Sequence, residues 1–294
     1  MLIERLGSPD VLAGKPPDHM LLLMPGLSDN VNVWSRLVPL ISHKDFEIWR
    51  TGSFADSLRS DGSSWTVEDF AKTVAEDIAA VRPRQITLVS HSAGVVAALE
   101  LATRSPGLIH KVIAVNGGLI APLELFAQPA RAFTRRTRTS LRVVQLLIMI
   151  SVRVPMTAKK LIIESVRLGD ALLRGFVAPA HRRDSDIKRI LLTDDAKPRI
   201  VRALFHNRRY LTRFEDNARA VTQEIILAAG AWDGLATVTE SRELCRYFSS
   251  AMVVEFSDCG HVIPLENPTR LARLINGTCS DADSVLVDRK GQSQ

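Results

Sequence analysis

Residues 88–95, which read Leu-Val-Ser-His-Ser-Ala-Gly-Val, constrain the fold of this chain more than any other stretch. An apolar run that starts at Ile86 ends here, and a helix-forming run follows at once. This pattern predicts a strand, a tight turn and a helix, with the side chain of Ser92 exposed at the top of a sheet. The backbone of such a turn is strained and needs small residues two positions before and two after it. Ser90 and Gly94 meet that requirement.

Ser92 needs chemical partners, because a serine hydroxyl is a weak nucleophile until a base takes its proton and donors receive the oxyanion. Two loops further along the chain offer them. A predicted buried strand, Ile225–Ala229, is followed by Asp233. A second, Met252–Phe256, is followed by His261. A nucleophile, an acid and a base therefore each follow a strand, and we expect the three to converge.

This order of Ser, Asp and His resembles that of the α/β-hydrolase fold superfamily, in its branch of serine esterases, thioesterases and carbon–carbon-bond hydrolases. The resemblance covers about residues 18–116 and 221–276. It implies that Ser92 attacks an acyl carbon and that His261 takes and later returns the proton. It also implies that Asp233 orients the imidazole and stabilises its cation.

The resemblance further implies an oxyanion hole made of two backbone N–H groups, those of Ala93 and Leu27. Ala93 stands at the start of the predicted helix, and Leu27 stands in the loop after the first parallel strand. The family usually has His-Gly in that loop, whereas this chain has Pro25-Gly26. The change keeps the backbone donor and removes a side chain that often braces the loop.

Each of the three residues also has a purely structural interpretation. Ser92 could be a helix N-cap, Asp233 could be a turn residue, and His261 could be an ordinary loop histidine. Their combined order and positions favour the catalytic interpretation. His91 is not expected to be the base, because the start of the helix turns its side chain away from Ser92. Three other carboxylates fit the pattern less well than Asp233: Asp258, Glu266 and Glu124.

Strands and helices alternate along the chain, which predicts an α/β fold with a mostly parallel central sheet and helices on both faces. Helices are expected from Asp29 or Asn30 to Leu40, from Thr66 to Val81 and from Pro268 to Ile275. The second begins with a residue pair that resembles a capping box, Thr66 and Asp69, and the third ends at a plausible C-cap, Asn276-Gly277. Apolar residues recur at helical spacing on the second helix and predict an apolar face: Phe70, Val74, Ile78 and Val81. Six strands are predicted: Met20–Met24, Glu47–Arg50, Ile86–Ser90, Val112–Val115, Ile225–Ala229 and Met252–Phe256.

About a hundred residues separate the fourth and fifth predicted strands, far more than an ordinary connection. We interpret residues 1–118 and 221–277 as the α/β-hydrolase core, and residues 119–220 as an inserted helical cap over the active site. Helical segments are expected within the cap at Leu125–Phe133, Leu141–Val154, Ala158–Gly175, Asp186–Thr193 and around Arg199–Tyr210. Several apolar residues are candidates for the core of the cap or for a pocket wall: Phe126, Leu146, Met149, Met156, Phe176 and Phe205. Residues 278–294 are small and polar and are expected to form a disordered tail.

The predicted cap is strongly basic: it holds 21 Lys and Arg against 9 Asp and Glu, whereas the rest of the chain holds 17 against 23. A solvated helix face would explain part of this excess. Alternatively, the arginines attract an anionic partner: the phosphate of a coenzyme A or carrier-protein thioester, or an anionic membrane surface. No nucleic-acid-binding motif accompanies them. The candidate anion-binding residues are Arg131, Arg135, Arg136, Arg138 and Arg142.

The cysteine content and the N-terminal residues bear on the cellular compartment, and the absence of certain motifs bears on cofactors. The three cysteines, Cys245, Cys259 and Cys279, are odd in number and predict free thiols in a reducing compartment. The first twenty residues lack an apolar segment of signal-peptide length, so a cytoplasmic protein is expected. No metal-ligand spacing and no phosphate-binding or dinucleotide motif occurs. The expected chemistry needs neither a metal nor a cofactor.

The sequence thus favours a serine hydrolase that cleaves a carboxylic ester or thioester through an acyl-serine intermediate. The same fold could instead carry carbon–carbon-bond hydrolysis, lyase chemistry or acyl transfer, because the cap decides which substrate reaches Ser92. A third possibility is a ligand-binding or membrane-surface scaffold without turnover. Epoxide and haloalkane hydrolases are disfavoured, since they need a carboxylate at the position of Ser92.

Overall fold

A seven-stranded sheet forms the centre of the molecule. The structure is a computed structural model that describes residues 2–6, 16–26, 31–53, 62–117, 174–192, 206–207, 210 and 214–278. The strands lie in the order β1-β3-β2-β4-β5-β6-β7, and all neighbours are parallel except the antiparallel pair β1 and β3. Their bounds are β1 Ile3–Arg5, β2 His19–Met24, β3 Glu47–Thr51, β4 Gln85–His91, β5 Ile109–Val115, β6 Glu224–Gly230 and β7 Ala251–Phe256.

The fold class and the six predicted strands are confirmed. The seventh strand, β1, was not predicted because it has only three residues and no apolar run. Its pairing with β3 decides its conformation, and Ile3 is buried there while Glu4 points outward. An extended conformation of so short a segment depends on a partner strand distant in sequence.

Helices cover both faces of the sheet, as the strand–helix alternation predicts. Their bounds are α1 Val67–Val81, α2 Gly94–Arg104, α3 Ser185–Leu192, α4 Phe214–Arg219, α5 Val238–Cys245, α6 Ile263–Glu266 and α7 Pro268–Ile275. Alternate residues of β2 point to opposite sides, so Leu22 joins the apolar cluster that contains α1 and α2, while Leu21 and Leu23 join the cluster that contains α7. The sheet is therefore buried on both faces, as parallel sheets are.

The sequence identified the start of α1 and the end of α7 through their caps. Thr66 accepts a hydrogen bond from the backbone N–H of Asp69, at 3.0 Å, at the start of α1. On this helix Phe70, Val74 and Ile78 are buried, which confirms the predicted apolar face. At the end of α7, Gly277 takes a positive φ of 71°, the conformation that a helix C-terminus favours.

The helix predicted to run from Asp29 or Asn30 to Leu40 is wrong in type. Asp29 and Asn30 lie outside the described residues, and the rest forms two short 3₁₀ helices, Val31–Trp34 and Val38–Leu40. Pro39 lies within the second of these and has no N–H, so a continuous α-helical ladder is interrupted there.

The domain boundaries at 119 and 220 stay a prediction, because residues 118–173 and 193–205 lie outside the described part. Within the proposed cap, the helix predicted from Asp186 to Thr193 is present as α3. The tail from 279 onward is also outside the described residues. Cys245 and Cys259 are free thiols. Within the described stretches, no helix is long and apolar enough to cross a membrane.

Candidate active site

The carboxyl-terminal edge of the sheet collects the polar residues of interest. Ser92 directly follows β4 and Asn116 directly follows β5, while Asp233 and His261 lie in the loops after β6 and β7. Because these four strands are parallel neighbours, their ends open onto the same edge. Ligand sites of open α/β sheets lie at that edge.

The turn that presents Ser92 has the strained backbone that the sequence predicts. Ser92 has a φ of 52°, in the left-handed region that residues other than glycine rarely adopt. Gly94 is needed for packing: a Cβ there would lie 2.2 Å from the carbonyl oxygen of Pro25. A Cβ on Gly26 would lie 3.0 Å from the Cβ of Ser92. The turn and the loop after β2 are therefore in close contact.

The side chains of Ser92, His261 and Asp233 form one hydrogen-bonded chain. His261 Nε2 lies 2.9 Å from Ser92 Oγ, and His261 Nδ1 lies 2.8 Å from Asp233 Oδ2. The carboxylate can only accept, so Nδ1 carries the proton and donates it to Asp233. Nε2 is then free to accept from the hydroxyl of Ser92. All three residues are buried, with Asp233 only 2% exposed.

Asp233 is held by donors on both of its oxygens. Oδ1 accepts from the backbone N–H groups of Leu235, at 2.7 Å, and Ala236, at 3.0 Å. Oδ2 accepts from His261 Nδ1 and from the side-chain amide of Asn116, at 2.8 Å. These donors fix the rotation of the carboxyl group and stabilise its negative charge.

The backbone on either side of His261 is fixed by a buried carboxylate. Glu266, on α6, accepts from the N–H of Gly260 at 2.9 Å and from the N–H of Val262 at 3.1 Å. It also accepts from the N–H of Ala178 at 2.9 Å. Burial raises the pKa of the Glu266 carboxyl, while the three backbone donors act in the opposite direction. The sequence offered Glu266 as a weak candidate acid, whereas its contacts are with the main chain around the base.

His91 contacts the main chain of His261 from the other side. Its Nε2 donates to the carbonyl oxygen of His261 at 2.7 Å, and its ring stacks edge-on against Trp34. Burial, followed by the nearby His261, lowers the pKa of His91 to about 3. A neutral ring bonded in this way supports the loop of the base and is directed to its main chain rather than to Ser92 Oγ.

A segment of the proposed cap bridges the two loops that carry Asp233 and His261. We call residues 174–187 the bridging segment. The carbonyl of Gly175 accepts from the N–H of Gly234, beside the acid, and the carbonyl of Phe176 accepts from the N–H of His261. The Phe176 ring lies 5.8 Å from the His261 ring. Phe176 is therefore against the base, consistent with a site wall.

Ala93, one of the two candidate oxyanion donors, is the residue that follows Ser92 and precedes α2. Within the described part of the chain, no acceptor bonds its N–H. Leu27, the other candidate, lies outside the described residues, as do Glu124 and all five candidate arginines. Those arginines are Arg131, Arg135, Arg136, Arg138 and Arg142. Among the described residues, no group of His, Cys, Asp and Glu has the arrangement of a metal site.

A family model described as the alpha/beta hydrolase family matches residues 21–274. The chain belongs to the alpha/beta hydrolase family. The match takes in Ser92, Asp233 and His261 and spans the intervening proposed cap. None of the curated protein sequences compared with the chain matches it.

Solved structures share the fold of this hydrolase at low sequence identity. An esterase from Thermogutta terrifontis is 17% identical, with a TM-score of 0.62 over 94% of this chain and 91% of its own. An enol-lactonase from Burkholderia xenovorans is 16% identical, with a TM-score of 0.62 over 94% and 95%. A haloalkane dehalogenase loop variant from Bradyrhizobium elkanii is 15% identical, with a TM-score of 0.66 over 94% and 91%.

Sequence reasoning about the hydrolase did not single out Asn116. It named Phe176 as a candidate for a pocket wall but did not predict the main-chain contacts of the bridging segment. Asn116 follows the apolar strand β5, just as Ser92 follows β4. A rule that examines every polar residue directly after a predicted strand would have found it. The main-chain carbonyls of Gly175 and Phe176 leave no signal in the sequence, because any residue type carries a carbonyl group.

Proposed function

We propose that this hydrolase cleaves a carboxylic ester or thioester through an acyl-serine intermediate on Ser92. The observation that carries the proposal is the chain of hydrogen bonds from Asp233 through His261 to Ser92. A base within 2.9 Å of a hydroxyl, oriented in turn by a buried carboxylate, is the arrangement that activates a serine.

In the proposed reaction, Ser92 Oγ bonds to the acyl carbon while its proton passes to His261 Nε2. Asp233 stabilises the imidazolium ring that forms. The backbone N–H of Ala93, at the N-terminus of α2, donates to the carbonyl oxygen as its negative charge develops. His261 then protonates the leaving alcohol or thiol. A water molecule, deprotonated by the same ring, attacks the acyl carbon and releases the acid and free Ser92.

Because the nucleophile is a serine hydroxyl and not a carboxylate, we propose an acyl substrate and not an alkyl halide. The neighbours in fold include a haloalkane dehalogenase, an esterase and an enol-lactonase. Dehalogenation in this fold needs a carboxylate as nucleophile, because the intermediate is an ester that water must hydrolyse. Ser92 supplies a hydroxyl, which forms a hydrolysable intermediate only with an acyl group.

Labelling with a fluorophosphonate probe tests the proposal, because the probe reacts with activated serines. We expect wild-type protein to be labelled and Ser92→Ala to lose the label, with turnover of p-nitrophenyl acetate reduced at least about 10⁴-fold. Ser241→Ala is the matched control, because Ser241 is also buried but lies on α5, outside the site. Folded wild-type protein without a label would favour a non-catalytic scaffold, and a label on another residue would refute the assignment of Ser92.

The leaving group is a separate part of the proposal. We propose that the basic cap draws in an anionic acyl donor, such as a coenzyme A or carrier-protein thioester. Replacing the five arginines from 131 to 142 by glutamine should raise KM for an acyl-coenzyme A thioester in a salt-dependent way, with little effect on p-nitrophenyl acetate. Equal effects on both substrates would refute this, and loss of binding to anionic vesicles alone would assign the arginines to a membrane surface.

A further inference from the structure

Asn116 occupies a position between the elements that carry the acid and the base. It directly follows β5, which lies between β4 and β6 in the sheet. Its backbone N–H donates to the carbonyl oxygen of Ala228 at 2.7 Å, so the residue is attached to β6. Its side chain is completely buried.

The side-chain amide of Asn116 joins two loops. Nδ2 donates to Asp233 Oδ2 at 2.8 Å and to the carbonyl oxygen of Gly260 at 3.1 Å. Asp233 Oδ2 is the same oxygen that accepts from His261 Nδ1, and Gly260 immediately precedes His261. One NH₂ group therefore determines where the carboxylate oxygen lies and where the loop of the base begins.

The chemistry of the neighbours determines the orientation of this amide. The opposite orientation would place Asn116 Oδ1 against a carboxylate oxygen and a carbonyl oxygen, three acceptors without a hydrogen atom among them. In the observed orientation, Oδ1 has no hydrogen-bond partner among the described residues. Within the described part of the chain, Asn116 therefore donates to Asp233 and Gly260 while its own oxygen accepts no hydrogen bond.

Two features of Asn116 reduce the stability of the fold. Its φ is 50°, in the left-handed region, which asparagine tolerates better than most residues but less well than glycine. A buried acceptor without a partner costs about 1–3 kcal/mol. Unfavourable features of this kind persist at functional sites where the surrounding structure enforces them. The favourable contribution of the side chain is its pair of hydrogen bonds to Asp233 and Gly260, in the two loops.

We propose that Asn116 is a positioning residue for the pair formed by Asp233 and His261. It keeps Oδ2 of the acid in line with Nδ1 of the base and ties the acid loop to the base loop. It does not contact the substrate. The proposal rests on the proposed function, since it assumes that this pair serves Ser92.

Two variants test the role of the amide group. Asn116→Gly removes the side chain and suits the left-handed backbone. Asn116→Asp keeps the shape but replaces the NH₂ donor with an acceptor. We expect both to lower kcat for p-nitrophenyl acetate about 10- to 100-fold with little change in KM, as is typical when an outer partner of a catalytic group is lost. Asn207→Ala is the matched control, because Asn207 is also buried and bonds the N–H of Val67 and the carbonyl of Trp65, away from the triad.

The pH profile separates positioning from a merely structural role. Among the described residues, the titratable groups that face the His261 loop from other elements include Asp233 after β6, His91 at the end of β4 and Glu266 on α6, with His181 near Glu266. Asp258 and Cys259 lie on the loop itself. A second carboxylate in Asn116→Asp adds negative charge near the ring, which favours the imidazolium form. The acid limb of the kcat/KM profile should therefore move to higher pH in Asn116→Asp and stay in place in Asn207→Ala.

A measurement independent of turnover keeps this proposal separate from the proposed function. The ¹H NMR signal of the His261 Nδ1–H, assigned by its loss in His261→Ala, reports the hydrogen bond to Asp233 directly. We expect this signal to shift or broaden in both Asn116 variants and to persist in Asn207→Ala. The proposed role of Asn116 would be overturned if both Asn116 variants kept the NMR signal, the kcat and the acid limb of the pH profile of the wild type. Absent fluorophosphonate labelling of the wild type, with the NMR shift still observed, would overturn only the hydrolase mechanism.

Discussion

The turn that carries Ser92 and the two loops that carry Asp233 and His261 are built in different ways. The turn is formed by the consecutive residues 90–94, with Ser92 in the left-handed conformation, and Gly94 packs it closely against the main chain of Pro25. The acid and base loops are held partly by nearby groups and partly by groups far away in sequence, namely Asn116 and the bridging segment. Glu266, Asn116 and the bridging segment hold the loop of His261, and each belongs to a different element.

This difference separates two requirements of a nucleophilic site. The position of Ser92 depends on steric fit, because a turn between a strand and a helix admits only small neighbours. The alignment of Asp233 and His261 depends on hydrogen bonds whose donors and acceptors must be placed by tertiary packing. Substitutions in the turn should therefore damage folding, and substitutions around the loops should damage activity or its pH dependence.

The largest effect is expected at Gly94, in the local turn. A Cβ at this position would lie 2.2 Å from the carbonyl oxygen of Pro25 and 2.8 Å from that of Met24, and both contacts are with backbone. Gly94→Ala should lower the free energy of unfolding in urea by about 4 kcal/mol or more, or prevent folding. Gly107→Ala is the control, since no atom lies within 4 Å of its added Cβ. Equal stability of the two variants would contradict the steric account of the turn.

The next largest effect is expected at Glu266, which binds the main chain on either side of His261. Glu266→Gln keeps the shape but places an NH₂ group among three backbone N–H donors. We expect about 2–4 kcal/mol of lost stability, from one or more buried donors without an acceptor, together with reduced kcat. Glu76→Gln serves as the control, because Glu76 is exposed and pairs only weakly with Lys72. Unchanged kcat in folded Glu266→Gln would show that the base loop needs no carboxylate.

An effect that is small near neutral pH and grows as the pH falls is expected at His91, where the turn meets the base loop. The pKa of His91 is lowered to about 3 in the fold by burial, against about 6.5 in the unfolded chain. The unfolded state therefore binds more protons between pH 6.5 and 3. The contribution of His91 is fully present above pH 6.5 and falls by up to about 1.4 kcal/mol per pH unit below it.

Urea unfolding at several pH values measures this contribution. His91→Gln retains an N–H that can donate to His261 and does not titrate, so its stability should fall less steeply than that of wild type below pH 6.5. His43→Gln, at an exposed histidine, should keep the wild-type slope. Parallel slopes for His91→Gln and wild type would mean that His91 is protonated in the folded protein.

The smallest effect is expected at Arg36, which holds the outer end of the bridging segment. Arg36 donates to Asp184 at 2.7 and 3.0 Å and to Asp186 at 2.9 Å, but its side chain is one-third exposed. Arg36→Met should cost about 1 kcal/mol or less at low salt and still less at high salt. Turnover should be nearly unchanged, because Gly175 and Phe176 hold the loops through the main chain. A large loss of kcat would show that the ion pairs, too, align the base.

Prediction from the sequence succeeded where the information is local. The parallel strands, the capped ends of α1 and α7, and the strand–turn–helix unit at Ser92 all follow from short runs of residues. It failed for β1, whose three residues become a strand only through pairing, and for the segment before Leu40, where Pro39 interrupts the expected helix. Asn116 was missed because asparagine at a strand end is common and its partner, Asp233, is 117 residues away.

The amino-acid sequence alone determined the fold class and the three residues that meet at the edge of the sheet. Hydrophobic periodicity and the steric demands of a tight turn act over a few residues, so short windows of the sequence are enough to predict the strands, the helices and the turn. Only the tertiary structure decided how Asp233 and His261 are aligned. That alignment depends on the buried amide of Asn116 and on two main-chain carbonyls, whose hydrogen bonds exist only once distant elements have packed together. The carboxylate of Glu266 adds bonds to the nearby main chain and one bond to the distant Ala178.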